Sequence, residues 1–338
     1  MKTKSFLLLS ILFAGGCDNQ RSSQDLLNHI FITQYRHSII SRGDNLPDFD
    51  RRKDSIDLFL VALHQRLVPK EFQKKAGWSD ELMKGKIQFL IDKGWLVNED
   101  KVLRPSVFIV SDEQGNELYE YGIPLAKEIA LSIEKETPSI KEKFKATGLS
   151  DNYDFDSMSF LVLSDVLLDN WQLMEMETTY LKKENRPERH GKFYYASIME
   201  HVNTDYEPFG IYGNQYGKIN DSTYMSIYGN NRIIVNKRLK NDIAFGDSIL
   251  NVALKLTPEL NNFFNEIAKD FKPKLLKILD EQTNYSREVY EKSGYSHEIA
   301  FEEFFIWWYH FIYTSATNIL AERNYLTIPR GGNFYYKQ

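Results

Sequence analysis

The sequence predicts an α+β protein: a helical N-terminal part with hairpins, then a mixed part with short antiparallel strands and long buried C-terminal helices. Three observations predict it. Between residues 55 and 121, short helical periodicities give way to β-type runs. Between 190 and 240, aromatic and β-branched residues alternate with Gly and Asn. The last hundred residues return to helical spacing. A content of 42% hydrophobic and 14% aromatic residues is enough to pack a core, and 338 residues suit one large or two ordinary domains.

The elements follow in order. Polar Asp18 to Asp25 precede Leu26, Leu27, Ile30, Ile32, Ile39 and Ile40, which suggest a helix. Arg42-Gly43-Asp44-Asn45-Leu46-Pro47 is a turn-rich, solvated break. Ser55 to Leu67 forms a helix with Ile56, Phe59, Leu60 and Leu63 on one face. Pro69 opens a second helix that Gly77 ends, and Ser79 caps a third carrying Met83, Ile87, Leu90 and Ile91. Strands at Val107–Val110 and Leu118–Tyr121 flank the turn signal Glu113-Gln114-Gly115-Asn116. Three helices followed by hairpins resemble a winged helix. DNA binding does not follow, because Asp80, Glu81 and Asp92 dilute the lysines of the third helix, and the second hairpin carries Asp112, Glu113, Glu117 and Glu120. No nucleic-acid partner is expected.

Residues 122–150 read as helix up to Pro138. Asp151 to Ser157 spaces oxygen ligands as a calcium loop does, but Ser157 stands at the glycine position and Leu163 where a bidentate Glu belongs. The segment is therefore an acidic loop or helix cap, and no metal or other cofactor is expected. Phe160 to Trp171 is an apolar helix. The β-rich stretch repeats Ile211-Tyr212-Gly213-Asn214 as Ile227-Tyr228-Gly229-Asn230, suggesting paired strands with similar ends. Thr257 caps a helix opened by Pro258, Pro273 starts another, and a final helix runs from about Ser296 to Arg323. Between Phe304 and Tyr313 only His310 interrupts its apolar surface, so it belongs at the centre of a core.

The first residues are of a different kind. Lys2 and Lys4 precede an apolar run, Phe6 to Phe13, too short to span a bilayer, and then Ala14-Gly15-Gly16-Cys17. This resembles the lipobox of bacterial lipoproteins. The resemblance implies a signal peptide at 1–16, lipidation of Cys17, and a body outside the cytoplasm anchored to the cell membrane or outer membrane. The remaining divisions are an anchor and tether at 17–50, the winged-helix-like part at 51–150 and the mixed part at 151–338. Cys17 is the sole cysteine, so a lipidated chain has no disulfide, thiol nucleophile or thiolate metal site. Loss of Lys2 and Lys4 takes the formal net charge from −5 to −7, a poor match for anionic polymers.

Two clusters could carry chemistry. Phe245-Gly246-Asp247-Ser248-Ile249-Leu250 resembles the nucleophile block of GDSL-type esterases. That resemblance implies Ser248 as nucleophile, with His297 and His310 as the available bases, although the later blocks of the family are missing and only ninety residues follow Ser248. Arg189, His190, Tyr194, Tyr195, Asn214, Asn230 and Arg232 have the composition of a pocket for an anionic, sugar-like or peptide ligand. The expectation is a non-catalytic lipoprotein that takes a small molecule, a peptide or a protein, with an envelope hydrolase using Ser248 as the alternative.

Overall fold

The computed structural model describes residues 22–42, 45–169, 172–200 and 258–327, together with the backbone of strands at 217–220, 223–227, 254–255 and 333–337. It is a mixed α+β structure, mainly helical, with short strands.

Helix α1 (Ser23–Ile32) starts where the Ser22 hydroxyl accepts the Asp25 N–H at 3.1 Å. It stops at Thr33, whose backbone is extended, and the chain enters strand β1 (Tyr35–Ser41). Ile39 and Ile40, expected to prolong a helix, lie in this strand, where β-branched side chains pack well. Residues 23–41 are thus built into the body, and the stretch available as a tether is shorter than 17–50.

Helices α2 (Ile56–His64), α3 (Pro69–Ala76) and α4 (Asp80–Asp92) form where their signals stand. Pro69 opens α3, Gly77 closes it at φ +68°, and Ser79 caps α4 by accepting the Leu82 N–H. Strands β2 (Leu96–Glu99) and β3 (Val102–Pro105) make a hairpin whose two loop residues, Asp100 and Lys101, both have positive φ, as a tight primed turn requires. Strand β4 (Phe108–Val110) follows.

The next stretch corrects the sequence reading. Glu113–Asn116 is not a turn and Leu118–Tyr121 is not a strand. Both lie in helix α5 (Asp112–Ala146). A reciprocal cap starts it: Gln114 N donates to the Ser111 hydroxyl, and Ser111 N donates to Gln114 Oε1 at 3.2 Å. Leu118, Leu125, Ala126, Ile129 and Ile133 then recur at helical spacing on its buried side.

Helix α6 (Phe155–Phe160), capped by Asp154, runs on through a π-helical turn at Leu161–Val166. Helix α7 (Leu173–Glu175) runs into a second such turn at Met176–Tyr180. Strands β5 (Glu188–Arg189) and β6 (Lys192–Glu200) are joined by His190 and Gly191, both at positive φ. Strands β7 (Gly217–Asn220), β8 (Thr223–Ile227), β9 (Leu254–Lys255) and β10 (Asn333–Lys337) pair in the order β7-β8-β10-β9. Helix α8 (Pro258–Glu281) passes through Pro273 without restarting, α9 (Thr283–Lys292) follows, and the final helix α10 (Phe301–Glu322) begins five residues later than expected. Gly294, at φ +79°, and a short 3₁₀ turn at Tyr295–His297 take the intervening chain.

In the main sheet β6 is central, antiparallel to β1 and parallel to β4. Its two faces divide the interior. Tyr195 and Met199 join the larger apolar cluster, made by α5, α6 and α8–α10. Tyr194, Ala196 and Ile198 join a smaller one, made chiefly by α1–α4. The larger cluster draws on residues from both sides of position 150, so the boundary expected there does not separate two cores. Among the described residues no helix is long and apolar enough to cross a membrane.

Candidate functional site

The residues that sequence reasoning grouped as a pocket are dispersed. Tyr194 and Tyr195 are neighbours on β6 and therefore point to opposite faces of the sheet. Tyr194 accepts a hydrogen bond from Trp95 Nε1 at 2.8 Å, while Tyr195 lies under the Arg186 guanidinium. Burial pushes both hydroxyls upward in pKa, and in Tyr195 the Glu177 charge adds to it. Arg189 is 3% exposed, and both its terminal nitrogens are engaged: Nη1 donates to Tyr194 O and Nη2 to Ser106 O, each at 2.5 Å, and Nη2 also to Glu303 Oε2 at 2.7 Å. Burial holds the Glu303 carboxyl above its usual range, and Arg189 opposes that shift. This is a structural pair with no free fork for a ligand. His190 sits exposed in the hairpin turn. Asn214, Asn230, Arg232 and Ser248 lie outside the described residues. Of the two histidines considered beside Ser248, His297 is exposed in the 3₁₀ turn and His310 is buried with Nδ1 bonded to Ile306 O at 2.6 Å, as a satisfied core histidine is.

A different set converges. Strand β4 runs parallel to β6 with Val110 opposite Met199, which brings the start of α5 beside the last residue of β6, Glu200. On the other edge Tyr35 of β1 pairs with Glu200. Helix α1 buries Leu27 and Ile30 and turns His29 toward the same point. The Glu200 carboxylate thus has two fixed partners: Oε1 lies 2.8 Å from His29 Nε2, and Oε2 accepts the Asp112 N–H at 3.0 Å. The second contact places a negative charge at the N-terminus of a 35-residue helix, where the unpaired N–H groups favour it.

These groups edge a cleft of about 740 Å³ between α1, the end of α2 and the start of α5. Leu26, Ile30, Val61, Leu67, Ile109 and Val110 give it apolar walls, and Asp112, Glu113 and Glu200 give it acidic ones. Among the described residues that line it, the one lysine or arginine is Arg66, whose Nη1 is 3.1 Å from Glu298 Oε1. Burial raises the Asp112 carboxyl above the ordinary carboxylate range, and the Glu200 charge raises it further. Burial likewise raises the Tyr35 hydroxyl, with Glu200 and Asp57 adding to the effect. Two neighbouring carboxyls, one of them hydrogen-bonded to a histidine, can hold a cationic group. The volume is in the range of small-molecule sites.

Sequence reasoning missed this cleft because His29, Asp112 and Glu200 are 83 and 88 positions apart in turn. The one local signal was the Ser111-x-x-Gln114 capping box, which marks a helix N-terminus. A shallower depression of about 550 Å³ lies at Lys141, Lys145, Tyr153 and Phe155, with the Lys141 ammonium over the Phe155 ring. In the former calcium-loop segment Asp154 caps α6, and among the described residues no group of three His, Cys, Asp or Glu is placed to hold a metal. Comparison with family models, with curated proteins and with solved structures gave no match.

Proposed function

We propose that the chain is a lipid-anchored cell-envelope protein, tethered through Cys17, whose body binds a small ligand in the cleft at Glu200 without transforming it. The observation that carries the reading is the composition of that cleft: among the described lining residues three carboxylates outnumber one guanidinium, that of Arg66, which is itself ion-paired with Glu298, and apolar side chains make up the rest of the wall. A ligand with a protonated amine and an apolar portion matches it, because the ammonium meets Glu200 and Asp112 while its chain covers Leu26, Ile30 and Val61. An anionic ligand would meet like charge on three sides.

The helices α2–α4 with the β2–β3 hairpin support a winged-helix-like reading of this part, used here for packing. The rings of Phe59, Phe72 and Trp78 pack against one another in tilted and edge-to-face pairs within it, and Leu60 and Leu90 are fully buried. Its role would be to hold α1 and the end of α2 against the sheet, and so to form one side of the cleft.

Calorimetric titration with spermidine, octylamine and, as an anionic control, octanoate tests the ligand reading. The amines should bind and octanoate should not. Glu200→Gln removes a charge-assisted contact worth about 1.5–3 kcal/mol, so amine affinity should fall roughly 10- to 100-fold. Equal binding of amine and carboxylate, or affinity untouched by Glu200→Gln, would refute it.

A further inference from the structure

The cation in the wall of the cleft stands on a piece of backbone that calls for glycine. Arg66 follows α2 at φ +60°. Its N–H donates to Leu63 O at 3.0 Å, and the Leu67 N–H donates to Ala62 O at 2.9 Å. This nested pair is the left-handed ending of a helix, in which the residue at the Arg66 position is usually Gly and sometimes Asn. Three other helices of this chain end in the same two bonds. Gly77 stands there after α3, Gly94 after α4 and Asn324 after α10, all at positive φ. A Cβ is disfavoured in that conformation, so the arginine after α2 is kept for its side chain.

That side chain is fixed on one side and open on the other. Nη1 meets Glu298 Oε1 at 3.1 Å, and Glu298, with no exposed side-chain surface, has its other oxygen 2.6 Å from His64 Nδ1. The Arg66 side chain is half-exposed and lines the cleft. A guanidinium has five N–H donors, and among the described residues Nε and Nη2 have no partner. Nor do the carboxylates of the cleft neutralise it. Among the described residues Arg66 makes no ion pair with Asp112, Glu113 or Glu200, and Glu200 is held by His29 and the Asp112 N–H. One cleft therefore presents a carboxylate group and a separate guanidinium edge, with Leu26, Ile30 and Val61 as apolar wall.

We propose that the ligand of this cleft is an aminocarboxylate zwitterion, an amino acid or short peptide-like molecule with an apolar stretch between its charges. The inference rests on the amine-binding reading above and adds a second charge to it. The ammonium meets Glu200 and Asp112, the chain covers the aliphatic wall, and the carboxylate takes the open edge of Arg66. A planar guanidinium matches a planar carboxylate through parallel N–H donors. A phosphate dianion fits less well, because its extra charge would face the three carboxylates. Glu298 holds the fork before any ligand arrives, so little side-chain freedom is lost on binding. Arg66 is then the residue that separates a zwitterion from a bare amine.

Calorimetric titration of the full chain with 4-aminobutanoate, 6-aminohexanoate and 8-aminooctanoate, each beside its primary amide, tests this. The amide keeps the amine and the chain and lacks the negative charge. At the length that spans the two sites, the acid should bind about 10- to 100-fold more tightly than its amide. In Arg66→Gly, a residue that the left-handed backbone accepts, that preference should vanish. Acids no tighter than their amides at all three lengths overturn the zwitterion and leave the amine reading standing. A preference that survives in Arg66→Gly overturns the role of Arg66. If neither acids nor amides bind, the amine reading is lost and the zwitterion with it. Should the variant not fold, the comparison of acid with amide in the wild type decides alone.

Discussion

Arg189 shows how much one interior charge depends on its neighbours. Its guanidinium ties β5 to Ser106, Tyr194 and, through Glu303, to the first turn of α10, and it has no water to turn to if one of them leaves. Arg189→Met should strand the Glu303 carboxylate and lower stability by about 3–5 kcal/mol in urea unfolding. The double change Arg189→Met with Glu303→Leu should recover most of that loss, because two apolar side chains demand no counter-charge. At this scale the sequence was least informative. It marks Arg189, Tyr194 and Tyr195 as polar and aromatic, but β-alternation sends the two tyrosines to opposite cores and the arginine inward, and only the position of α10 shows why. His310 is the counter-example. A lone histidine in an apolar helix predicts an internal hydrogen bond, and its Nδ1 makes one.

Between elements, α5 packs directly against α10. Trp308 donates its indole N–H to Leu118 O at 2.8 Å, and Gly122 lets the helices approach: a Cβ there would lie 3.3 Å from Ile312 Cγ1 and 3.7 Å from Trp308 Nε1. Gly122→Val should overpack this crossing and cost about 1–3 kcal/mol, read from the midpoint of chemical denaturation. Gly122→Ala should lie near neutral, because roughly 1 kcal/mol of helix propensity offsets the tight contact. Elements with local signals were legible: the Pro69 and Gly77 ends of α3, the Ser79 cap of α4, and the burial of α10. Those decided by tertiary partners were not. Leu118–Tyr121 has β-type composition, yet a cap at Ser111 and an apolar partner helix carry it into α5. Ile39 and Ile40 look helical by spacing, yet they complete a sheet whose other strands lie 70 and 150 residues away along the chain.

For the whole molecule, the sheet is a partition with a core on each side, and the candidate cleft opens where the partition ends. That is why it is assembled from α1, α2, β4, α5 and β6, and why no single segment carries its signature. The proposed anchor, by contrast, rests on a linear signal and can be tested as one. Cys17→Ser should abolish incorporation of labelled fatty acid, measured in cells fed labelled palmitate, while the body accumulates undiminished. Retained label in that variant would refute lipidation at Cys17.

The early start of α1 constrains where such a body could work. Ser23 is six positions after Cys17, and a fully extended chain gains at most about 3.6 Å per residue, so the leash reaches no further than roughly 20 Å. Ser23 is itself on the rim of the cleft. With the thioether in place, the opening would be confined to the headgroup zone and its immediate water, sampling molecules that gather at the bilayer surface and meeting those in free solution only as they arrive there.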